Sequence, residues 1–337
     1  MLLAPVAAVA LTALLTPLLA AWARRRNFLD IPNHRSSHVV ATPRIGGAAI
    51  VLGVIGGAVV VYGLGGGDRG MTTVLCGALG VALLGLVDDF RHLPALVRLA
   101  VQTVIAAAVV LVSPTPVLAQ SGGPLAALLI VLWLVASINA YNFMDGIDGI
   151  AGAQALVAGA GWVIVGLLAG APQVAVLGLL IAAASAGFLL HNWHPAKVFM
   201  GDAGSGFFGF LFAALPLAAP GNRPSLWLCA ALLIWPFLAD TGFTLLRRAS
   251  RRENVLSAHR SHIYQRMVLS GRSHRDVSAV YAGLALLGAF AAVSVVFGYR
   301  PALLLALATI AVAGAGTWWS AVSREEREVP RRSTNQK

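Results

Sequence analysis

Long apolar runs alternate with short polar loops over most of the chain, and this alternation limits what it can fold into. A helix that crosses a bilayer needs about 20 consecutive apolar residues. Eleven runs approach or reach that length, at residues 2–23, 45–64, 71–87, 95–113, 124–142, 149–170, 172–190, 203–219, 224–246, 277–298 and 301–320. Charged residues make up only 11% of the sequence, against about 25% in soluble proteins. We therefore predict an all-α polytopic integral membrane protein with about eleven transmembrane helices.

The basic residues indicate how these helices are oriented. Arg24, Arg25 and Arg26 directly follow the first apolar run, which places the N-terminus outside because cytoplasmic loops carry an excess of Lys and Arg. With eleven alternating spans, all but three of the 24 Lys and Arg residues fall in inner segments. The C-terminus and its basic tail, 321–337, are then predicted to be cytoplasmic. We attribute the net charge of +11 to orientation in a lipid bilayer and expect no nucleic-acid partner.

Polar clusters recur at the predicted inner face, whereas the outer loops contain nothing comparable. The clusters are HRSSHVVATPRIGG (34–47), DDFRHL (88–93), NFMDGIDG (142–149), HNWHPAKVFMGDAGSG (191–206) and HRSHIYQR (259–266). We see no soluble domain, and we predict one membrane-embedded domain over 1–337 with its catalytic motifs in 34–266. The active site is expected to be built from cytoplasmic loops.

Carboxylates and amides dominate two of these clusters. Asp88 and Asp89 end the third run, where adjacent carboxylates can hold a cation or take a proton. Asn142, Asp145 and Asp148 are spaced by three, which places them along one helical face or around a tight turn. Their oxygen atoms are the ligands that magnesium selects. We therefore predict a cation-dependent site.

Phosphate-binding features occupy two further clusters, 191–206 and 259–266. Asp202 precedes a Gly/Ser-rich helix start, whose free backbone N–H groups suit phosphate oxygens. His259, Arg260 and His262 stand in the longest inner loop and can clamp a diphosphate. Three further polar residues keep two interpretations open, functional or structural: Asp240 inside the ninth run, and Arg98 and Gln102 on one face of the fourth.

A divalent ion beside carboxylates, with basic groups that stabilise shifting charge, is the usual arrangement for phosphoryl transfer. The sequence lacks a Walker loop and a soluble nucleotide domain, so we expect a cytosolic phosphate donor and a lipid acceptor. DDFRHL, NAYNFMDGIDGIAG, HPAKVFMGDAGSGFFGF and HRSHIYQR, in this order, resemble the polyprenyl-phosphate N-acetylhexosamine-1-phosphate transferase family (glycosyltransferase family 4). The resemblance runs from about His34 to Arg266.

The resemblance implies a set of roles. Asn142 and Asp202 are expected to bind Mg²⁺, or Mn²⁺ in its place. Asp88 and Asp89 are expected to serve the lipid acceptor, with Asp88 as proton acceptor or as an orienting group. The candidate catalytic residues are Asp88, Asp89, Asp145 and His262. The candidate substrate-binding residues are Arg44, Gly146, Ile147, Asp148, Asn192, Phe199, His259 and Arg260, of which Gly146, Ile147, Asp148, Asn192 and Phe199 belong to the uridine pocket.

The reaction implied is transfer of a sugar 1-phosphate from a UDP-N-acetylhexosamine to undecaprenyl phosphate, giving UMP, in a bacterial inner membrane. HRSHIYQR lacks the triple histidine of the peptidoglycan enzymes. We therefore favour GlcNAc, or a 6-deoxy sugar such as FucNAc or QuiNAc, in O-antigen or cell-wall glycan synthesis. A phospho-MurNAc-pentapeptide transferase and an ion-coupled transporter are the alternatives, and a homodimer is a further expectation.

Overall fold

The computed structural model describes residues 2–32, 40–113, 123–221, 223–254, 260–301, 303–304, 307–312 and 314–316. Helices account for most of them: α1 Leu3–Arg25, α2 Gly46–Gly63, α3 Arg69–Arg91, α4 Ala95–Val112, α5 Gly123–Met144, α6 Ile150–Leu168, α7 Pro172–Asn192, α8 Gly201–Ala214, α9 Pro224–Leu233, α10 Trp235–Ser250, α11 Ile263–Leu269 and α12 His274–Phe297. A 3₁₀ turn, Leu215–Ala218, extends α8. The strands β1, Leu29–Asp30, and β2, Thr42–Pro43, form one short antiparallel pair.

The helices match the apolar runs, which confirms the prediction of an all-α polytopic membrane protein. Within the described residues, nine helices are long and apolar enough to cross a membrane. They correspond to the first eight predicted spans and the tenth. The eleventh predicted span, 301–320, lies partly outside the described residues and stays a prediction, as does the tail 321–337.

The ninth predicted span, 224–246, is formed by two helices rather than by one continuous helix. The helices α9 and α10 meet at Ile234 with a bend of 73°. Pro236 lies in the first turn of α10, where a missing backbone N–H is tolerated but the preceding helix cannot continue through it. The bend redirects α10, which carries Asp240.

The eighth predicted span forms the centre of the bundle. α8 contacts α2, α3 and α5, and all of its residues except Asp202 are buried. Because protein rather than lipid surrounds it, α8 can be short and rich in glycine. A Cβ atom on Gly85 of α3 would collide with the Asp202 carbonyl, so glycine at 85 lets α3 approach the start of α8 closely.

The outer surface of the bundle is apolar. α4 and α5 expose leucine and valine side chains along most of their length, including Leu96, Val104, Leu125 and Leu129. An apolar surface of this extent is expected where helices face lipid chains. Two polar residues of the same helices, Arg98 and Asn142, lie near helix ends, at the boundary of the bundle.

Candidate functional site

A short backbone pairing joins the start of α2 to the start of α8. The Phe199 N–H donates to the Pro43 carbonyl at 2.8 Å, and the Gly46 N–H donates to the Phe199 carbonyl at 2.9 Å. The Gly47 N–H donates to the Met200 carbonyl at 2.7 Å. This pairing fixes Arg44, a predicted substrate-binding residue, beside the first turn of α8.

Asp89 caps the start of α8. Its Oδ1 accepts a hydrogen bond from the Asp202 N–H at 3.0 Å, and its Oδ2 accepts one from the Ala203 N–H at 3.1 Å. The Arg44 Nε also lies 3.2 Å from Oδ1. A carboxylate at this place satisfies two helix N–H groups that have no partner within the helix. Asp89 therefore ties the last turn of α3 to α8.

Asp202 is the meeting point of four segments. One of its oxygens contacts the Arg44 Nη2 and accepts a hydrogen bond from the Asn142 Nδ2 at 2.9 Å. The other oxygen lies 3.3 Å from the Arg98 Nη1. Asn142 also donates to the Ser205 hydroxyl at 3.0 Å. The two predicted metal ligands, Asn142 and Asp202, are therefore in direct contact.

Arg98 is a site residue that the sequence left ambiguous. Its Nη1 lies 2.5 Å from Asp88 Oδ2, while the Leu93 N–H donates to Asp88 Oδ1 at 2.6 Å. Arg98 thus bridges Asp88 and Asp202, although these lie on different helices. The only signal in the sequence was a cation near the start of an apolar helix, ten residues after an acidic pair.

Asp145 completes the charged group from the turn between α5 and α6. Its side chain is partly exposed, and its carboxylate makes no hydrogen bond within the described part of the chain. Burial raises the pKa of Asp145 well above its usual value, Arg44 opposes this shift, and the negative charges of Asp202 and Asp89 add to it. Burial is the largest cause of the raised pKa, and the neighbouring carboxylates contribute less.

The same carboxylates raise the pKa of the Arg44 guanidinium. Burial alone lowers the pKa of the Arg44 guanidinium, but the carboxylates of Asp202 and Asp89 outweigh it and raise the pKa above its ordinary value. With all four carboxylates ionised, the two guanidinium groups would leave a formal charge of −2. The group consists of Asp88, Asp89, Asp145, Asp202, Arg44 and Arg98.

The predicted uridine-pocket residues lie on two segments that contact each other. The Gly149 N–H donates to Asn192 Oδ1 at 3.1 Å, and Asn192 Nδ2 donates to the Val198 carbonyl at 2.9 Å. This brings the 146–149 turn against the loop that carries Phe199. Ile147 is buried in the apolar core, and a Cβ on Gly146 would collide with the Tyr264 hydroxyl. Their roles toward a nucleotide stay predictions.

Asp148 has partners that the sequence did not indicate. Its Oδ2 lies 2.7 Å from His194 Nδ1 and accepts a hydrogen bond from the Ala196 N–H at 3.1 Å, while its Oδ1 lies 3.3 Å from His274 Nδ1. Burial alone raises the pKa of Asp148, but the two histidines and the Ala196 N–H lower it to about 2. His194 and His274 were missed because 80 residues separate them in the chain.

Asp240 has a structural partner, and that partner is the α11 segment. The Ile263 and Tyr264 N–H groups donate to its two oxygens at 2.9 and 3.0 Å, and the Tyr281 hydroxyl donates at 2.5 Å. His262, a predicted catalytic residue, is 3% exposed, with its Nδ1 3.1 Å from Asp240. Asp240 therefore holds the HRSHIYQR segment against α10. Arg260 lies at the start of this segment, and His259 lies outside the described residues.

The donor atoms around Asp202 fit a magnesium ion. Carboxylate and amide oxygens are the hard ligands that magnesium prefers, and the formal charge of −2 on the fully ionised group matches a divalent cation. The two guanidinium groups can bind phosphate oxygens. The arrangement can therefore bind a cation and a phosphate group side by side.

Comparisons with known proteins agree with the motifs. The model of the family "Glycosyl transferase family 4" matches residues 71–219. A probable undecaprenyl-phosphate N-acetylglucosaminyl 1-phosphate transferase of Bacillus subtilis is 31% identical over 80% of this chain and 77% of its own length. A decaprenyl-phosphate N-acetylglucosaminephosphotransferase of Mycobacterium tuberculosis is 32% identical over 88% and 82%. A phospho-N-acetylmuramoyl-pentapeptide-transferase of Levilactobacillus brevis matches a shorter part, 30% identical over 50% of this chain and 51% of its own.

Proposed function

Because the chain belongs to glycosyl transferase family 4, we propose that it transfers an N-acetylhexosamine 1-phosphate from a UDP-sugar to undecaprenyl phosphate. The products are undecaprenyl-diphosphate-sugar and UMP. The donor is GlcNAc or a 6-deoxy relative such as FucNAc or QuiNAc, and the lipid product begins a cell-surface glycan. The named relatives act on polyprenyl phosphates and N-acetylglucosamine, which supports this choice of substrates.

The observation that carries the proposal is the convergence of Asp88, Asp89, Asn142 and Asp202 on Arg44 and Arg98 at one end of the bundle. A phosphate oxygen of the acceptor forms a bond to the sugar-linked phosphorus, and the bond from that phosphorus to the UMP oxygen breaks. Charge moves onto the leaving UMP. Arg44 and Arg98 are placed to stabilise that charge, which is the largest contribution to catalysis in many enzymes.

Asp88 is better placed to orient than to remove a proton. Both of its oxygens are engaged, one by Arg98 and one by the Leu93 N–H. A phosphate monoester has a second pKa of about 6 and is mostly dianionic at neutral pH, so the acceptor needs no base. We propose that Asp88 positions Arg98 toward the acceptor phosphate. When bound, a magnesium ion held by Asp202 and Asn142 neutralises charge on the donor diphosphate.

A narrow cleft supports a lipid acceptor. It lies between α3, α4, α5 and α8, with Asp88, Arg98 and Asp202 on its polar side. Its lining also includes the apolar residues Val81, Leu84 and Ile138. A polyprenyl phosphate has the same two parts, an anionic head and a hydrocarbon chain. Because basic residues are enriched in the segments on the same side as these groups, we propose that the site faces the cytoplasm of a bacterial inner membrane.

The test is UMP release by purified protein with undecaprenyl phosphate, Mg²⁺ and a panel of UDP-sugars. The panel includes UDP-GlcNAc, UDP-6-deoxy sugars and UDP-MurNAc-pentapeptide, so it also distinguishes the peptidoglycan alternative. We expect activity that EDTA abolishes and that Asp202→Asn lowers by at least about a hundredfold, the scale lost when charge stabilisation is removed. Asp68→Asn, at the opposite end of α3 from Asp88, is the control and keeps full activity.

Two results would contradict the proposal. Full turnover by Asp202→Asn would contradict the assignment of Asp202 as a magnesium ligand. Release of no UMP with any donor would favour the transporter alternative, which predicts polar groups near the bilayer midplane. Asp88, Asn142 and Asp202 instead lie in the last or first turns of their helices, and this position favours an enzyme that works at the membrane boundary.

A further inference from the structure

Asp148, His194 and His274 form a second cluster of ligand-type side chains. One ligand atom from each residue lies within 4.8 Å of the others. The three residues come from separate segments: the turn between α5 and α6, the loop before α8, and the first turn of α12. Two imidazole nitrogens and a carboxylate are a common donor set for zinc and for other late divalent metals.

The contacts of His274 are difficult to satisfy with hydrogen bonds alone. Its Nδ1 lies 3.3 Å from the Asp148 carboxylate, an acceptor, and 3.5 Å from the Asp148 backbone N–H, a donor. One ring nitrogen cannot carry a proton for the first contact and a lone pair for the second. Coordination of an ion would use the Nδ1 lone pair and an Asp148 oxygen together, in place of the 3.3 Å contact between them.

We propose that Asp148, His194 and His274 bind a transition-metal dication of the zinc class. Zinc ligands lie at about 2.0–2.2 Å from the ion, so donor atoms must come within about 3–4 Å of one another. The ligand atoms lie up to 4.8 Å apart, so the longest separation has to shorten by about 1–2 Å to reach this geometry. His194 is exposed on one side, which gives an ion a route of entry and leaves room for a water ligand.

This site differs chemically from the one around Asp202. The Asp202 group offers oxygen donors, which suit magnesium, whereas imidazole nitrogen favours zinc, cobalt and similar ions. A bound ion would tie together the 145–149 turn, the loop before α8 and α12. It would also engage Asp148, a residue predicted to contact uridine, so metal and nucleotide would compete for one carboxylate.

The test is Co²⁺ binding followed by visible absorption, because Co²⁺ with nitrogen ligands and low coordination absorbs far more strongly than hydrated Co²⁺. Protein without a polyhistidine tag is stripped with EDTA and kept in excess Mg²⁺, which occupies oxygen-only sites. We expect one equivalent of Co²⁺ and displacement by Zn²⁺. His194→Gln and His274→Gln should each weaken binding by at least about tenfold.

His191→Gln is the matched control. His191 is three residues before His194, but its Nε2 meets the Ala13 carbonyl at 3.0 Å and it lies outside the cluster. His191→Gln and Asp202→Asn should bind Co²⁺ like the unaltered chain. Because His194 is partly exposed, His194→Gln should fold even where His274→Gln does not. Zn²⁺ should also raise the melting temperature of the unaltered chain but not that of His194→Gln.

The proposal is overturned if the stripped protein takes up no Co²⁺, or if His194→Gln binds it as well as the unaltered chain. The three residues would then only hold their segments together by hydrogen bonds and ion pairs. Neither measurement uses turnover, so the outcome is independent of the proposed transferase activity.

Discussion

Replacing Asp89 by asparagine tests whether this carboxylate acts by fixing the start of α8. Asp89 uses both oxygens, one for the Asp202 N–H and one for the Ala203 N–H. Asparagine has only one side-chain oxygen, so one of these N–H groups would face the side-chain NH₂. The Asp89 side chain is 2% exposed, so water cannot replace the lost acceptor.

The expected cost follows from these contacts. A hydrogen bond to a charged group contributes about 1.5–3 kcal/mol, and an anion at a helix N-terminus contributes up to about 2 kcal/mol. The two values describe partly the same interaction, so we expect a loss of about 2–4 kcal/mol in the free energy of unfolding. At about 2–4 °C per kcal/mol for a large domain, the melting temperature should fall by about 5–15 °C.

The assay is thermal unfolding in detergent, followed by the fluorescence of the 8 tryptophans. Asp68→Asn is the matched control, because the Asp68 side chain caps α3 through a single oxygen, which accepts from the Met71 N–H at 2.7 Å. Asparagine caps a helix as well as aspartate does, so this variant should melt within about 2 °C of the unaltered chain.

Equal melting temperatures for Asp89→Asn and Asp68→Asn would refute this reasoning. If Asp89→Asn were also inactive, Asp89 would then act on the substrate directly, as the family resemblance implied. A lower melting temperature with reduced turnover supports a positioning role through Asp202.

Three further changes test other parts of the structure. Arg98→Gln should lower turnover on the order of a hundredfold, because it removes a charge-stabilising donor, while the exposed Arg91→Gln should not; equal turnover would exclude Arg98 from the site. Gly47→Ala should lower the melting temperature, since its Cβ would collide with α8, whereas Gly283→Ala has open space and should keep or raise it; the reverse order would contradict the packing. Asp148 has a pKa of about 2 in the folded chain against an ordinary 3.8, so its stabilisation is complete above about pH 4 and is lost as the pH falls toward 2. Asp148→Asn should therefore have a lower melting temperature at neutral pH, and its melting temperature should change less between about pH 4 and pH 2. An equal fall in melting temperature below about pH 4 in both proteins would exclude a contribution of Asp148 to stability.

The sequence placed the polar clusters on one side of the bundle because hydrophobicity and helix length act locally. Asp88, Asn142 and Asp202 each stand next to the end of an apolar run of about the length that crosses a bilayer. Once the spans alternate in direction, these ends must come to the same boundary. The approximate bounds of the helices and the composition of the main site follow from this, without knowledge of how any two helices pack.

The roles of individual residues could not be read in the same way. Arg98 and Asp240 each had a functional and a structural interpretation from sequence, and only their contacts separate them. Arg98 bridges Asp88 and Asp202, whereas Asp240 caps α11. Such contacts depend on the rotation of each helix about its axis and on which helices are neighbours, and one sequence specifies neither directly.

The amino-acid sequence by itself determined that this chain is a membrane bundle with acidic and basic groups at one boundary. The reason is that the free energy of transferring apolar residues to lipid is a sum over local segments. Only the tertiary structure decided that the glycine-rich α8 is central, that the ninth span bends at Ile234, and that Asp148 meets His194 and His274. These features arise from close packing between distant segments. Small residues such as Gly85 allow that packing, but they do not show which helix will be the neighbour.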